Sequence, residues 1–188
     1  MAGCAGSDDD DDSAAGPVTS TQTTTTATTE TGGIDPLEGA STDPVTGTAT
    51  TEETALLEQV SLGRHEGFDR VVFRFRNGLP GYRVSYEEPP ISEDGSGDEV
   101  TLDGSAFVVV RMEPASGFDL STGEGELVYT GPRRLSGADA GTSVVRELVR
   151  PGDFEAVLTW AVGLSDHVDF RVTTLENPAR LVVDFRNH

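Results

Sequence analysis

Catalysis through a metal or a proton relay needs convergent polar side chains, and this 188-residue chain has only three histidines, His65, His167 and His188. A catalytic zinc takes clustered His and carboxylate ligands around an open position, and three widely separated histidines are a poor set for it. Ser165-Asp166-His167 contains the residue types of a hydrolytic triad, but adjacent residues in a turn do not set nucleophile, base and orienter in line. Asp94, Ser96 and Asp98 offer oxygens as a calcium loop does. A loop counted from Asp94, however, has Glu99 where the sixth-place glycine belongs and Ser105 where the twelfth-place glutamate belongs, so a solvated hairpin tip is the simpler account. Glu87, Glu88 and Asp98 are carboxylates of the glycosidase type, but that chemistry depends on a spacing fixed only by the fold. The polar residues therefore point away from an enzyme, a metal centre or a cofactor.

Binding has better candidates. Gly131-Pro132-Arg133-Arg134 holds the one adjacent arginine pair, in a segment with turn character, and paired guanidinium forks suit carboxylates and phosphates. Surface salt bridges are the alternative use of Arg133 and Arg134. Tyr82 and Tyr86 fall on one face of a strand, so both belong to the core or both form a platform on which a sugar could stack.

Charge limits the partners. Residues 1–60 carry twelve acids and no arginine (−12), residues 61–188 carry 21 acids against 13 arginines (−8), and the chain totals −20 with no lysine. Such a chain repels nucleic acid and anionic headgroups at long range. Any anionic polymer it binds must be recognised by short-range contacts, because at physiological salt fields beyond about 8 Å are screened.

The sole cysteine, Cys4, lies in Met1-Ala2-Gly3-Cys4-Ala5-Gly6-Ser7 ahead of five consecutive aspartates. This start resembles the lipobox of bacterial lipoproteins, where small residues precede a cysteine that receives diacylglycerol. The resemblance implies lipidation at Cys4, and the basic and apolar stretches of a signal peptide would have to lie upstream of Met1. No apolar run reaches the length needed to span a bilayer. Residues 1–54 are Thr-rich and acidic, with Pro17, Pro36 and Pro44. They hold too little apolar surface to offset the entropy of ordering. They are expected to form a disordered tether with a root-mean-square span of roughly 40 Å.

From residue 55 to 188 the pattern changes to short apolar runs with period two, broken by Gly, Pro, Asp and Asn, which are strand and turn signals. Strands are expected at Gln59–Arg64, Val71–Phe75, Tyr82–Tyr86, Glu99–Leu102, Ala106–Met112 and Glu126–Thr130, then at Ser143–Val149, Phe154–Val162, Val168–Thr174 and Arg180–Phe185. Asn77-Gly78-Leu79-Pro80-Gly81 should turn one strand into the next. No helical stripe longer than a turn or two is present. The natural solution is an all-β, two-sheet antiparallel sandwich, with Trp160 in its core. Arg70 to Asn77 and Arg180 to Asn187 echo each other, which suggests equivalent or adjacent strands with Arg74 near Asp184.

Gly67-Phe68-Asp69-Arg70-Val71-Val72-Phe73, Pro80-Gly81-Tyr82-Arg83-Val84 and, most strongly, Asn177-Pro178-Ala179-Arg180-Leu181-Val182-Val183-Asp184-Phe185 resemble the AMIN domain and the AMIN-like domains of actinobacterial lipoproteins. The acidic stretch Glu87–Asp103 is longer than a compact AMIN turn. The resemblance implies a β-sandwich outside the cytoplasm that binds peptidoglycan or an associated wall polymer. The alternative is a module that recruits or regulates a cell-wall amidase or a secretion component.

Overall fold

A computed structural model describes residues 35–121 and 123–187. Cys4 and the first 34 residues of the expected tether lie outside the described residues. In chain order the strands are β1 (Val45–Gly47), β2 (Ala55–His65), β3 (Phe68–Arg76), β4 (Gly81–Tyr86), β5 (Ala106–Glu113), β6 (Ala115–Ser116), β7 (Phe118–Asp119), β8 (Glu126–Leu127) and β9 (Arg134–Ser136). After the four-residue helix α1 (Gly137–Ala140) come β10 (Val145–Phe154), β11 (Val157–Leu164), β12 (Phe170–Leu175) and β13 (Ala179–Arg186). One sheet has the order β1-β4-β5-β11-β10-β9, the other β12-β13-β3-β2-β6, and β7 pairs with β8 in a small ribbon. Every pairing is antiparallel except β2 with β6. The all-β sandwich expected from the period-two pattern is the fold.

The sheets meet over alternating apolar positions. Val71, Phe73 and Phe75 of β3 and Leu181, Val183 and Phe185 of β13 face Val108, Val110 and Met112 of β5 and Leu158, Trp160 and Val162 of β11, all buried. The Trp160 ring lies between Phe73 and Tyr129, with centroids 5.9 and 5.8 Å away.

Several elements differ from the expectation. Asn77–Gly81 does not close a hairpin: it carries the chain from the five-stranded sheet into the six-stranded one, and Leu79 is buried on the way. Phe154–Val162 is two strands, not one. Glu155 and Ala156 adopt φ of 51° and 59° and reverse the chain, leaving Phe154 exposed while Leu158, Trp160 and Val162 stay in the core. Both central residues of such a turn need positive φ, which Asn-Gly signals and Glu-Ala does not. Glu99–Leu102 forms no strand, only an isolated bridge from Glu99 to Ser92, and of Glu126–Thr130 only the first two residues pair.

The tether boundary at 54 is also corrected. Residues 35–54 belong to the fold: β1 pairs with β4, Ser41 bridges to Phe170, and Leu37 is wholly buried. Short edge strands and one plugged leucine leave no periodic trace in a Thr-rich segment. Finally, Glu87–Asp103 packs along β10 and β11. The Asp94 carboxylate accepts from the Thr159 hydroxyl at 3.0 Å, and a Cβ at Gly163 would collide with the Asp103 carbonyl. This cover explains why Thr159 and Ala161, on the outward side of β11, are as buried as the core side.

Candidate functional site

Arg133 donates to Glu93 at 3.0 Å and to the Arg150 carbonyl at 3.1 Å, and Arg134 to the Thr101 carbonyl at 2.8 Å, beside Glu147 at 2.8 Å. The pair thus fastens the 87–103 segment to β9 and β10. Tyr86 stacks on His167 with centroids 3.9 Å apart. Its hydroxyl donates to the Val168 carbonyl at 2.6 Å and accepts from the Val168 N–H at 3.0 Å, and burial holds its ionisation above the ordinary tyrosine range. Tyr82 packs against the core beside Gly47, where a Cβ would strike its ring. The fold therefore does not bring Arg133, Arg134, Tyr82 and Tyr86 together as one surface. His167, from the Ser165-Asp166-His167 run, is engaged by Tyr86. Asp94 turns inward to Thr159, and no group of three potential metal ligands is assembled among the described residues.

Two other surfaces are built by the topology. The first is the outward side of the five-stranded sheet. Strand register sets Arg180 opposite Arg74, Val182 opposite Val72 and Asp184 opposite Arg70, with Arg171 opposite Asp184 on the far flank. Period two thus collects Arg70, Arg74, Arg171 and Arg180 on one face of an acidic protein. Asp184, only 1% exposed at its side chain, receives Arg70 through two bonds of 2.6 and 2.9 Å and Arg171 at 3.3 Å. The hydrogen bond to Asp184 raises the Arg70 pKa above its ordinary value. The expected Arg74–Asp184 neighbourhood is corrected: antiparallel register places Arg70 there, and Arg74 instead meets Glu58 at 3.3 Å. Arg180 has no carboxylate within 4.0 Å among the described residues and bonds only the Pro178 carbonyl, at 3.4 Å. Like charges set directly opposite across strands destabilise the pairing, so Arg74 and Arg180 form an arrangement that an anion would relieve. The signal was present in the sequence as arginines at 70, 74 and 76, but separating the Arg180 partner required the register.

The second surface is a cleft of about 930 Å³ between the start of β2, the β7 region and the β10–β11 hairpin. Five large apolar side chains are exposed among the described residues. Phe118 at 40%, Leu120 at 72% and Phe154 at 58% all line this cleft. Its rim is acidic, with Glu52, Glu53 and Glu155 exposed. Asp153 sits deeper, accepting from the Ser116 hydroxyl at 2.7 Å and the Gly117 N–H at 2.9 Å.

The insertion covers part of the outward side of the six-stranded sheet, and the outward side of the five-stranded sheet stays open and basic. Residues 55–187 match the AMIN-like domain family, and the chain belongs to it. AMIN-like domains are associated with the cell wall and envelope, outside the cytoplasm. Among the described residues no helix is long and apolar enough to cross a membrane. No curated protein and no solved structure matches the chain.

Proposed function

We propose that this chain is a non-catalytic cell-envelope lipoprotein whose AMIN-like sandwich binds peptidoglycan or an associated anionic wall polymer, tethered to the membrane through lipid on Cys4. The observation that carries the reading is the open face bearing Arg70, Arg74, Arg171 and Arg180. Stem-peptide carboxylates and polymer phosphates suit guanidinium forks, and a local cluster supplies the short-range attraction that a net charge of −20 withholds at long range. Arg70 and Arg171 hold Asp184 and Arg74 meets Glu58, so Arg180, with no carboxylate partner among the described residues, is the group most open to a polymer, with Arg74 directly opposite it. Anchoring rests on the lipobox-like context of Cys4.

The test is retention on protein-free sacculi. Replacing Arg74 and Arg180 together by Ala should reduce retention about tenfold, a loss of about 1.4 kcal/mol. The melting temperature should hold or rise, because a cross-strand repulsion is removed. Retention of the native chain should change only modestly with salt, since screening weakens the arginine contacts and the overall repulsion alike. Equal retention of the folded double variant would remove this face from the reading, and no retention of the native chain at any salt would remove wall-polymer binding. Cys4→Ser, expressed from the native gene in its own host, should release the protein from membranes.

A further inference from the structure

We infer that the acidic-rimmed cleft beside the β10–β11 hairpin is a second binding site, taking a segment of a partner protein that presents large apolar side chains flanked by lysine or arginine. Phe118, Leu120 and Phe154 expose apolar surface into one concavity, where isolated exposed hydrophobics would be scattered. The floor includes buried Leu56 and the tip residue Ala156. That tip is fixed, since the Ala156 carbonyl accepts the Ala115 N–H at 2.8 Å.

Charge selects the occupant. Glu52, Glu53 and Glu155 have no cation within 4.0 Å among the described residues, so the rim keeps its negative charge. An anionic wall polymer is repelled here. So is the chain's own segment ahead of the fold, which carries six acids and no arginine within residues 1–34. A second copy of this domain is a poor fit, since its basic face is flat and half occupied by Asp184 and Glu58. An apolar segment with basic flanks meets both the floor and the rim, and such desolvated aromatic and aliphatic anchors dominate protein interfaces.

The probe is a short labelled peptide with Leu and Phe at its centre and Lys at both ends, titrated into the full chain and followed by anisotropy and amide chemical shifts. Two controls replace the end lysines by Glu or the central residues by Ser. The first peptide should bind saturably, about tenfold tighter than either control, with shifts centred on Phe118, Leu120 and Phe154. Leu120→Ser with Phe154→Ser should abolish the binding. Glu52→Lys with Glu53→Lys and Glu155→Lys should reverse the preference toward the Glu-ended peptide. The proposal is overturned by equal binding of the Glu-ended control, by binding that survives the Leu120 and Phe154 changes, by no saturable binding, or by self-association of the chain that those changes abolish. The altered side chains are exposed, so melting temperature and sacculus retention should not move, which keeps this outcome separate from that of the arginine face.

Discussion

At the scale of single residues, the most consequential group is one without a counter-charge. Asp69 is fully buried on β3, yet its Oδ2 accepts from the N–H groups of Ser143, Val144 and Val145 at 2.8, 2.6 and 3.0 Å. Its Oδ1 accepts from the Asn187 amide at 2.8 Å. One carboxylate therefore ties the entry to β10 in one sheet to β3 and the chain end beyond β13 in the other. Asp69→Ala would leave three buried donors and the part-buried Ser143 N–H without this acceptor, each buried one costing about 1–3 kcal/mol, so it should cost at least about 3 kcal/mol and lower the melting temperature by about 10 °C. A melting curve within two or three degrees of the native one would show that water replaces the carboxylate. Asp35 offers the opposite case, an exposed pair whose effect is read by pH. The hydrogen bond from Arg186, then that from the Leu37 N–H, holds its carboxyl below the ordinary aspartate range. A depressed folded-state pKa gives a contribution that is complete above the unfolded value, near 4, and disappears as pH falls through the folded value. Asp35→Asn should thus melt below the native chain at neutral pH, with the gap closing as pH drops below about 4. A gap that persists in acid would assign the loss to packing.

At the scale of elements, the strands with apolar alternation were legible and those held by other means were not. Val71 to Phe75 and Arg180 to Phe185 declare their period in the sequence, and β3 and β13 lie where the pattern put them, paired as their echo suggested. The β10–β11 reversal escaped because Glu155 and Ala156 are not turn formers, and β1 escaped because three residues cannot show a period. The candidate surfaces divide the same way. The arginine face is period two written in charge, whereas the cleft joins residues from the approaches to β2, from β7 and from the hairpin, a proximity that no local pattern encodes. The insertion Glu87–Asp103 was visible as excess length but not as a cover. Its seat is tested at Gly163, where a Cβ would collide with the backbone carbonyl of Asp103 rather than with a yielding side chain. Gly163→Ala should cost about 1–3 kcal/mol and increase proteolysis within 87–103. Unchanged proteolysis would mean that the contacts of Asp94, Arg133 and Arg134 suffice to hold the segment.

At the scale of the whole molecule, burial rather than composition decides where the folded unit begins. The Thr-rich, Pro-containing stretch reads as tether through residue 54, and the family match begins at 55, yet the structure carries the fold back to Asp35. Three kinds of contact do this, and each is invisible to a count of apolar residues. β1 adds a backbone ladder to β4, with Val45 opposite Val84. The Ser41–Phe170 bridge ties the segment to β12 through two hydrogen bonds of 3.1 and 2.9 Å. Leu37, fully buried, is anchored through its carbonyl and through Asp35 to Arg186. Losing a buried leucine alone costs about 2–5 kcal/mol, and in a domain of this size each kcal/mol corresponds to about 2–4 °C in melting temperature. Two truncations separate composition from contact. A chain beginning at Asp35 keeps all three attachments, while one beginning at Ala55 keeps the whole family-matched region and none of them. The second should melt about 10 °C below the first and should expose the β4 edge, an unpaired strand that invites association between copies. If the two chains melt together and both remain monomeric, residues 35–54 lie on the sandwich without supporting it, and the folded unit begins at Ala55 after all.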